Sequence, residues 1–208
     1  MEQMDEKLLK AKKQMEEMEK SRHSSETIEE ELKQSIYDEQ MTIYKIPVQF
    51  KPFELMDGKM SIYMPQDFNQ VEEEVIAQVY PLGNKPQYVF SNGYLYFSIG
   101  FSYTQQSIPN EQMKEFSQLA KVILERVGPK AKIYEAKHHQ VGDDHISTLT
   151  LITQTLEQAM YNQMFFCSLE GRLLIGFINF PAKYNERLKP LAKEIVQSFK
   201  IIHKEEEA

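Results

Sequence analysis

Residues 159–181 read AMYNQMFFCSLEGRLLIGFINFP. Two apolar runs flank Glu170-Gly171, a pair suited to a tight β-hairpin turn. Strand alternation puts Met160, Met164 and Phe166 on one face of the first run. The other face carries Ala159, Tyr161, Phe165, Cys167 and Leu169. The second run divides in the same way, into Leu173, Ile175 and Phe177 against Leu174, Ile178 and Phe180. Neither face is polar, so the hairpin belongs to a sheet covered on both sides. The rest of the chain reads as material that pairs with this hairpin or lies over it.

Upstream, Asn92-Gly93 is the strongest turn signal in the chain. It predicts a two-residue hairpin with Phe90 opposite Leu95 and Tyr88 opposite Phe97. One face then holds Tyr88, Phe90, Leu95, Phe97, Ile99 and Phe101, and Tyr94 and Tyr96 share the other. Met113, Phe116, Ala120, Ile123 and Val127 recur at helical spacing and predict an amphipathic helix facing the core. Asn110 suits its N-cap, and Gly128-Pro129 ends it. Strands are expected over 133–141 and 146–156. A closing helix is expected over 184–199, with Tyr184, Leu188, Leu191, Ile195 and Phe199 inward. Residues 41–56 are β-like, and Pro47 and Pro52 place them at an edge. Asp57-Gly58 signals another hairpin, and Val71, Val75 and Val79 form one face of a short helix that Asp67 or Asn69 caps. About eight strands and two long helices in this order predict an α+β fold, a mainly antiparallel sheet flanked by helices as an α/β/α sandwich.

The organisation follows from composition. With 208 residues, 41% of them hydrophobic, the chain has enough apolar material for a packed core. Residues 1–40 read as a charged helical arm, 41–203 as the α+β domain, and 204–208 as a disordered tail. The arm carries 12 acidic and 7 basic residues, so most of the net charge of −7 sits there and the domain is near neutral. No basic footprint for nucleic acid or an anionic membrane surface results. Within the arm Met4, Leu8, Ala11, Met15 and Met18 follow an a/d spacing for about two heptads. Leu8, Met15 and Met18 are therefore candidate partner-binding residues, and the arm is a place for weak self-association. The N-terminus has no apolar signal-peptide core, and no apolar run is long enough to span a bilayer. The expectation is a cytoplasmic protein.

The element order resembles the PsbP-like fold, shared by an extrinsic photosystem II protein and a Ran-binding nuclear import factor. More narrowly, Tyr80-Pro81 to Lys85-Pro86, and the run from Tyr161-Asn162-Gln163-Met164-Phe165-Phe166 through Ser168 to Gly176 and Asn179, resemble a group of uncharacterised bacterial proteins. The resemblance covers roughly residues 50–202. Members of the fold chiefly bind other proteins, so it implies a non-catalytic protein-binding module of unidentified partner.

The chemistry-bearing motifs are few. The chain has no phosphate loop, no nucleophile elbow, no HExxH and no GxGxxG. No catalytic residues, cofactor or metal are expected. The single cysteine, Cys167, lies in the most apolar strand and reads as core. His138, His139, Asp143, Asp144 and His145 gather around one turn, without later ligands spaced to complete a metal site. Tyr161, Asn162 and Asn179 are polar residues in apolar strands. They either line a small-molecule pocket between the sheet and the C-terminal helix or satisfy local partners. Tyr94 and Tyr96 form a docking face if exposed, and core if the segment 43–50 covers them. Arg172 reads as a surface charge beside the turn.

Overall fold

A computed structural model describes residues 25–80, 85–127, 131–141, 144–155 and 157–203 of the chain. Leu8, Met15, Met18, Asp143 and the tail lie outside the described residues. The central hairpin forms as its alternation requires. Strands β10 (Ala159–Leu169) and β11 (Arg172–Pro181) pair from Met160↔Pro181 to Leu169↔Arg172 about the Glu170-Gly171 turn. The turn places both residues at positive φ, 50° and 74°.

Five further strands extend this pair into a seven-stranded antiparallel sheet: β5 (Asn69–Gln70), β6 (Tyr88–Ser91), β7 (Ser98–Ser107), β8 (Lys132–Val141) and β9 (Asp144–Gln154). The order is β5-β6-β7-β11-β10-β9-β8. The sheet face bearing Tyr161, Phe165, Cys167, Leu169, Leu174, Ile178 and Phe180 belongs to the main core. It is covered by the C-terminal helix α4 (Asn185–Gln197) and by a three-stranded sheet of β3 (Phe50–Leu55), β4 (Met60–Pro65) and β12 (Lys200–Ile201). The opposite face, with Leu149, Leu151, Phe166 and Leu173, packs against α3 (Met113–Val127) through Met113, Phe116, Ala120 and Leu124. Both faces of the hairpin are thus buried, and the sandwich is α/β/α.

Two glycines admit rings across the strands. Gly176 pairs with Phe165 and Gly100 with Phe177. A Cβ at Gly176 would meet the Phe165 ring at 2.0 Å, and one at Gly100 the Phe177 ring at 2.2 Å. Each glycine is the slot in which a ring lies.

Three local expectations are corrected. Asn92-Gly93 is not a two-residue loop, because β6 pairs β7 through Phe90↔Ile99 and Tyr88↔Phe101. Residues 92–97 form a wide loop instead. The Asn92 Oδ1 accepts from the backbone N–H groups of Tyr94 and Leu95, both at 3.2 Å, an Asx-type turn that outcompetes the tight hairpin. Leu95 and Phe97 then sink into the core, and Tyr96 adopts φ 59°. The short helix α2 starts late (Glu73–Val79) and buries Ile76, leaving Val75 and Val79 exposed. In α3, Leu124 takes the inward place assigned to Ile123, which is 48% exposed.

The expected boundary at residue 40 falls inside tertiary packing. Helix α1 (Ser25–Leu32) rests on α4, and Ile36, 1% exposed, joins the main core. Beyond it, β1 (Met41–Ile43) and β2 (Ile46–Val48) form a separate two-stranded hairpin whose turn residues Tyr44 and Lys45 both have positive φ.

Candidate functional site

The sequence candidates separate in space. Tyr94 is exposed, and its hydroxyl donates to Asp67, which the Asn92 amide also approaches. Tyr96 is half-buried on the other side of its loop. Its ring stacks on Tyr184 at 4.7 Å and meets Tyr44 edge-on at 6.4 Å. The two tyrosines therefore share no face: one is a loop-tip residue and the other part of an aromatic cluster.

Tyr161 and Asn162 point to opposite sides of the sheet, as neighbours in a strand must. Tyr161 faces α4, stacks on Phe180 at 4.7 Å and donates to Gln163 Oε1. Burial pushes its phenol up to about 12. Asn162 and Asn179 are cross-strand partners on the face away from α4. Asn162 donates to Thr153 Oγ1 and to the Met160 carbonyl, both at 3.1 Å. Asn179 donates to Tyr80 Oη at 3.0 Å and accepts from Ser98 Oγ at 2.6 Å. These groups satisfy local partners, and a pocket under the C-terminal helix is not what they form.

At the β8–β9 end, His138 Nε2 and His145 Nδ1 are 3.1 Å apart, and His138 Nδ1 lies 2.9 Å from Ser147 Oγ. The Ser147 hydroxyl donates to the Met113 carbonyl, so it accepts from His138 Nδ1–H. His138 Nε2 is then the acceptor for His145 Nδ1–H. Burial, with His145, Lys114 and His139 nearby, holds His138 below the usual imidazole range. Asp144 pairs with His203 instead of joining the histidines. Among the described residues no group of three or more His, Cys, Asp or Glu is placed to hold a metal. Cys167 is fully buried and its thiol is pushed up by desolvation, which removes it as a nucleophile.

A site that the sequence did not announce lies between the two sheets. A cleft of about 480 Å³ is walled by the tip of the β3–β4 hairpin and by β5, β6 and β7. Leu55, Met56, Tyr88, Phe90 and Tyr103 give it apolar and aromatic lining, and Glu54, Asp57 and Lys59 line it with charge. The tip is unusual, since Met56, Asp57 and Gly58 all have positive φ, at 55°, 58° and 76°. Two of those three carry a Cβ, a conformation costing roughly 1 kcal/mol or more at each. The Lys59 and Leu55 backbones close the turn through a hydrogen bond of 3.2 Å. Lys59 also reaches Glu170 at 2.8 Å, tying the tip to the central hairpin's turn, and that carboxylate holds the ammonium above its ordinary range. Beside the cleft, the Arg172 guanidinium lies 4.1 Å over the Tyr103 ring, and its Nε donates to the Thr104 carbonyl. Tyr103 in turn donates to the Leu169 carbonyl at 3.0 Å. Arg172, read from sequence as a plain surface charge, braces one wall. The only sequence signal of this site was Asp57-Gly58, which announced a hairpin and no cleft.

No protein-family model matches the chain, and no curated protein sequence is similar to it. Solved structures are similar in shape. The cyanobacterial PsbP protein (CyanoP) of Synechocystis sp. PCC 6803 aligns with a TM-score of 0.54 and 11% identity, over 74% of this chain and 92% of its own. The fold is PsbP-like. LpqN of Mycobacterium tuberculosis, involved in cell envelope biogenesis, aligns at a TM-score of 0.45 and 12% identity over 80% of this chain and 100% of its own. A Pseudomonas aeruginosa protein of unknown function, a putative regulator, reaches 0.44 and 12% over 76% and 99%. At these identities the likeness concerns the PsbP-like fold alone.

Proposed function

We propose that the chain is a non-catalytic, cytoplasmic bacterial protein that binds another protein, taking a short extended segment of it in the cleft between the β3–β4 tip and β6–β7. One observation carries this reading: a tyrosine-, phenylalanine- and methionine-lined cleft with charges of both signs along it. Aromatic and methionine side chains are the types enriched in binding surfaces, and mixed charge suits a polypeptide better than a polyanion. The near-neutral domain supports a partner that is neither nucleic acid nor an anionic membrane surface. Among the described residues no helix is long and apolar enough to cross a membrane.

The test is site-specific photocrosslinking in native cytoplasm, with a photoreactive residue replacing Gln70 at the cleft or, as control, the exposed Gln154. The expected outcome is one protein crosslinked from position 70, absent from position 154, and lost when Glu54→Lys, a charge reversal at an exposed position of the cleft wall, is added at unchanged melting temperature. Equal crosslinking from both positions would remove the cleft as a binding site.

A second reading is favoured by the cleft's volume, which lies within the ~300–1,000 Å³ range of small-molecule sites. On that reading, native mass spectrometry shows a retained small molecule that Tyr88→Ala releases, and no crosslinked protein appears.

A further inference from the structure

Helix α3 carries two stripes. Met113, Phe116, Ala120 and Leu124 face the sheet. On the opposite side lie Glu115, Leu119, Val122 and Arg126, all exposed, with Leu119 at 56% and Val122 at 40%. Their spacing of four, three and four is the a/d spacing of a helix-pairing seam. An amphipathic helix on a sheet needs only its inner stripe, so the outer one is unaccounted for by the fold.

The outer stripe is complementary to itself. Glu115 and Arg126 are equidistant from the point between Ala120 and Lys121, and so are Leu119 and Val122. A two-fold axis through that point sets two helices antiparallel, with acid against base at both ends and the apolar pair between. Among the described residues neither Glu115 nor Arg126 is in an ion pair. We infer that two copies of this chain associate through α3, antiparallel about a two-fold axis, with Glu115 of each against the partner's Arg126. The seam covers about 16 Å of helix at 1.5 Å per residue. Three turns of helix bury less than the ~800 Å² per partner of a standard interface, so the dimer is weak and reversible. This association is independent of the cleft, and it uses a surface other than the N-terminal arm.

Charge exchange tests the pairing. Sedimentation velocity of the full chain, from about 1 to 300 μM, is expected to show a monomer–dimer equilibrium that weakens with salt. Glu115→Lys places like charges at both ends and is expected to leave only monomer across the series, as is Arg126→Glu. An equimolar mixture of the two variants regains dimer, because every end pair is again opposite in sign. The double variant Glu115→Lys/Arg126→Glu regains it alone. Leu119→Gln, which keeps both charges, also yields monomer. Each position is exposed, so melting temperatures are expected to stay within a few degrees of wild type, which separates loss of pairing from loss of fold. Three results would overturn the inference: a wild-type chain monomeric throughout, dimer that survives the single reversals, or a mixture that fails to recombine.

Discussion

The carboxylate of Glu31 lies 3.3 Å from the guanidinium of Arg187, with side chains only 7% and 6% exposed. Arg187 also sits 4.8 Å over the Tyr44 ring. One charge comes from the segment that composition assigns to a detachable arm, and the other from the C-terminal helix. A buried pair of this kind is costly to break from one side, because the remaining ion has lost both water and partner.

Deleting residues 1–40 is therefore expected to destabilise the domain. It removes Ile36 from the core, at about 2–5 kcal/mol, and strips α1 and the Glu31 carboxylate from Arg187 and α4. In a chain of this length that corresponds to a melting temperature lowered by more than about 8 °C. A smaller drop would restore the boundary at residue 40. Glu31→Gln alone is expected to destabilise, and Glu31→Leu with Arg187→Met to recover most of the loss.

Tyr94 and Tyr96 are expected to respond differently to the same truncation. Tyr94→Ala removes an exposed ring and costs within about 1 kcal/mol. Tyr96→Ala opens a gap beside Tyr184 and Tyr44 and costs about 2–3 kcal/mol. Urea unfolding of the two single variants measures this directly. Equal costs would mean that the two rings share an environment after all.

His138 makes stability depend on pH in one direction. Its folded pKa is depressed, so its contribution is complete above the unfolded value of about 6.5 and is lost as pH falls below that toward the folded value. Protonation at Nε2 also opposes the hydrogen bond from His145. The wild-type urea midpoint is expected to fall more between about pH 7.5 and 5.5 than that of His138→Gln. Parallel profiles would show that the His138–His145 contact carries no proton linkage.

Much of the fold was legible because alternation and helical spacing are local signals. The faces of β10 and β11, the inward residues of α4 and the edge position of the proline-bearing β3 all follow from them. What was not legible depends on side chains distant in sequence. Glu31 reads as one acid among many until α4 brings Arg187 to it. The cleft joins residues 54–59 to Gln70, Tyr88 and Tyr103, and no pattern along the chain marks that meeting. The loop at Asn92 misled because an Asn-Gly pair also suits an Asx turn, and burial of Leu95 and Phe97 decided between the two. Polarity groups Tyr161, Asn162 and Asn179, whereas strand alternation separates the first two.

The two ring-on-glycine contacts bear on how the chain avoids mispairing. Alternation forbids a slip of one residue, since every side chain would change faces. It does not forbid a slip of two, which leaves each residue on its own side. Here such a slip would bring Phe165 opposite Leu174 or Ile178 in place of Gly176, and Phe177 opposite Ser98 or Ser102 in place of Gly100. Neither ring would find its vacancy. Gly176 and Phe177 are adjacent in β11 and face opposite sides, so one strand carries a notch and a tooth, and only one alignment with its neighbours engages both.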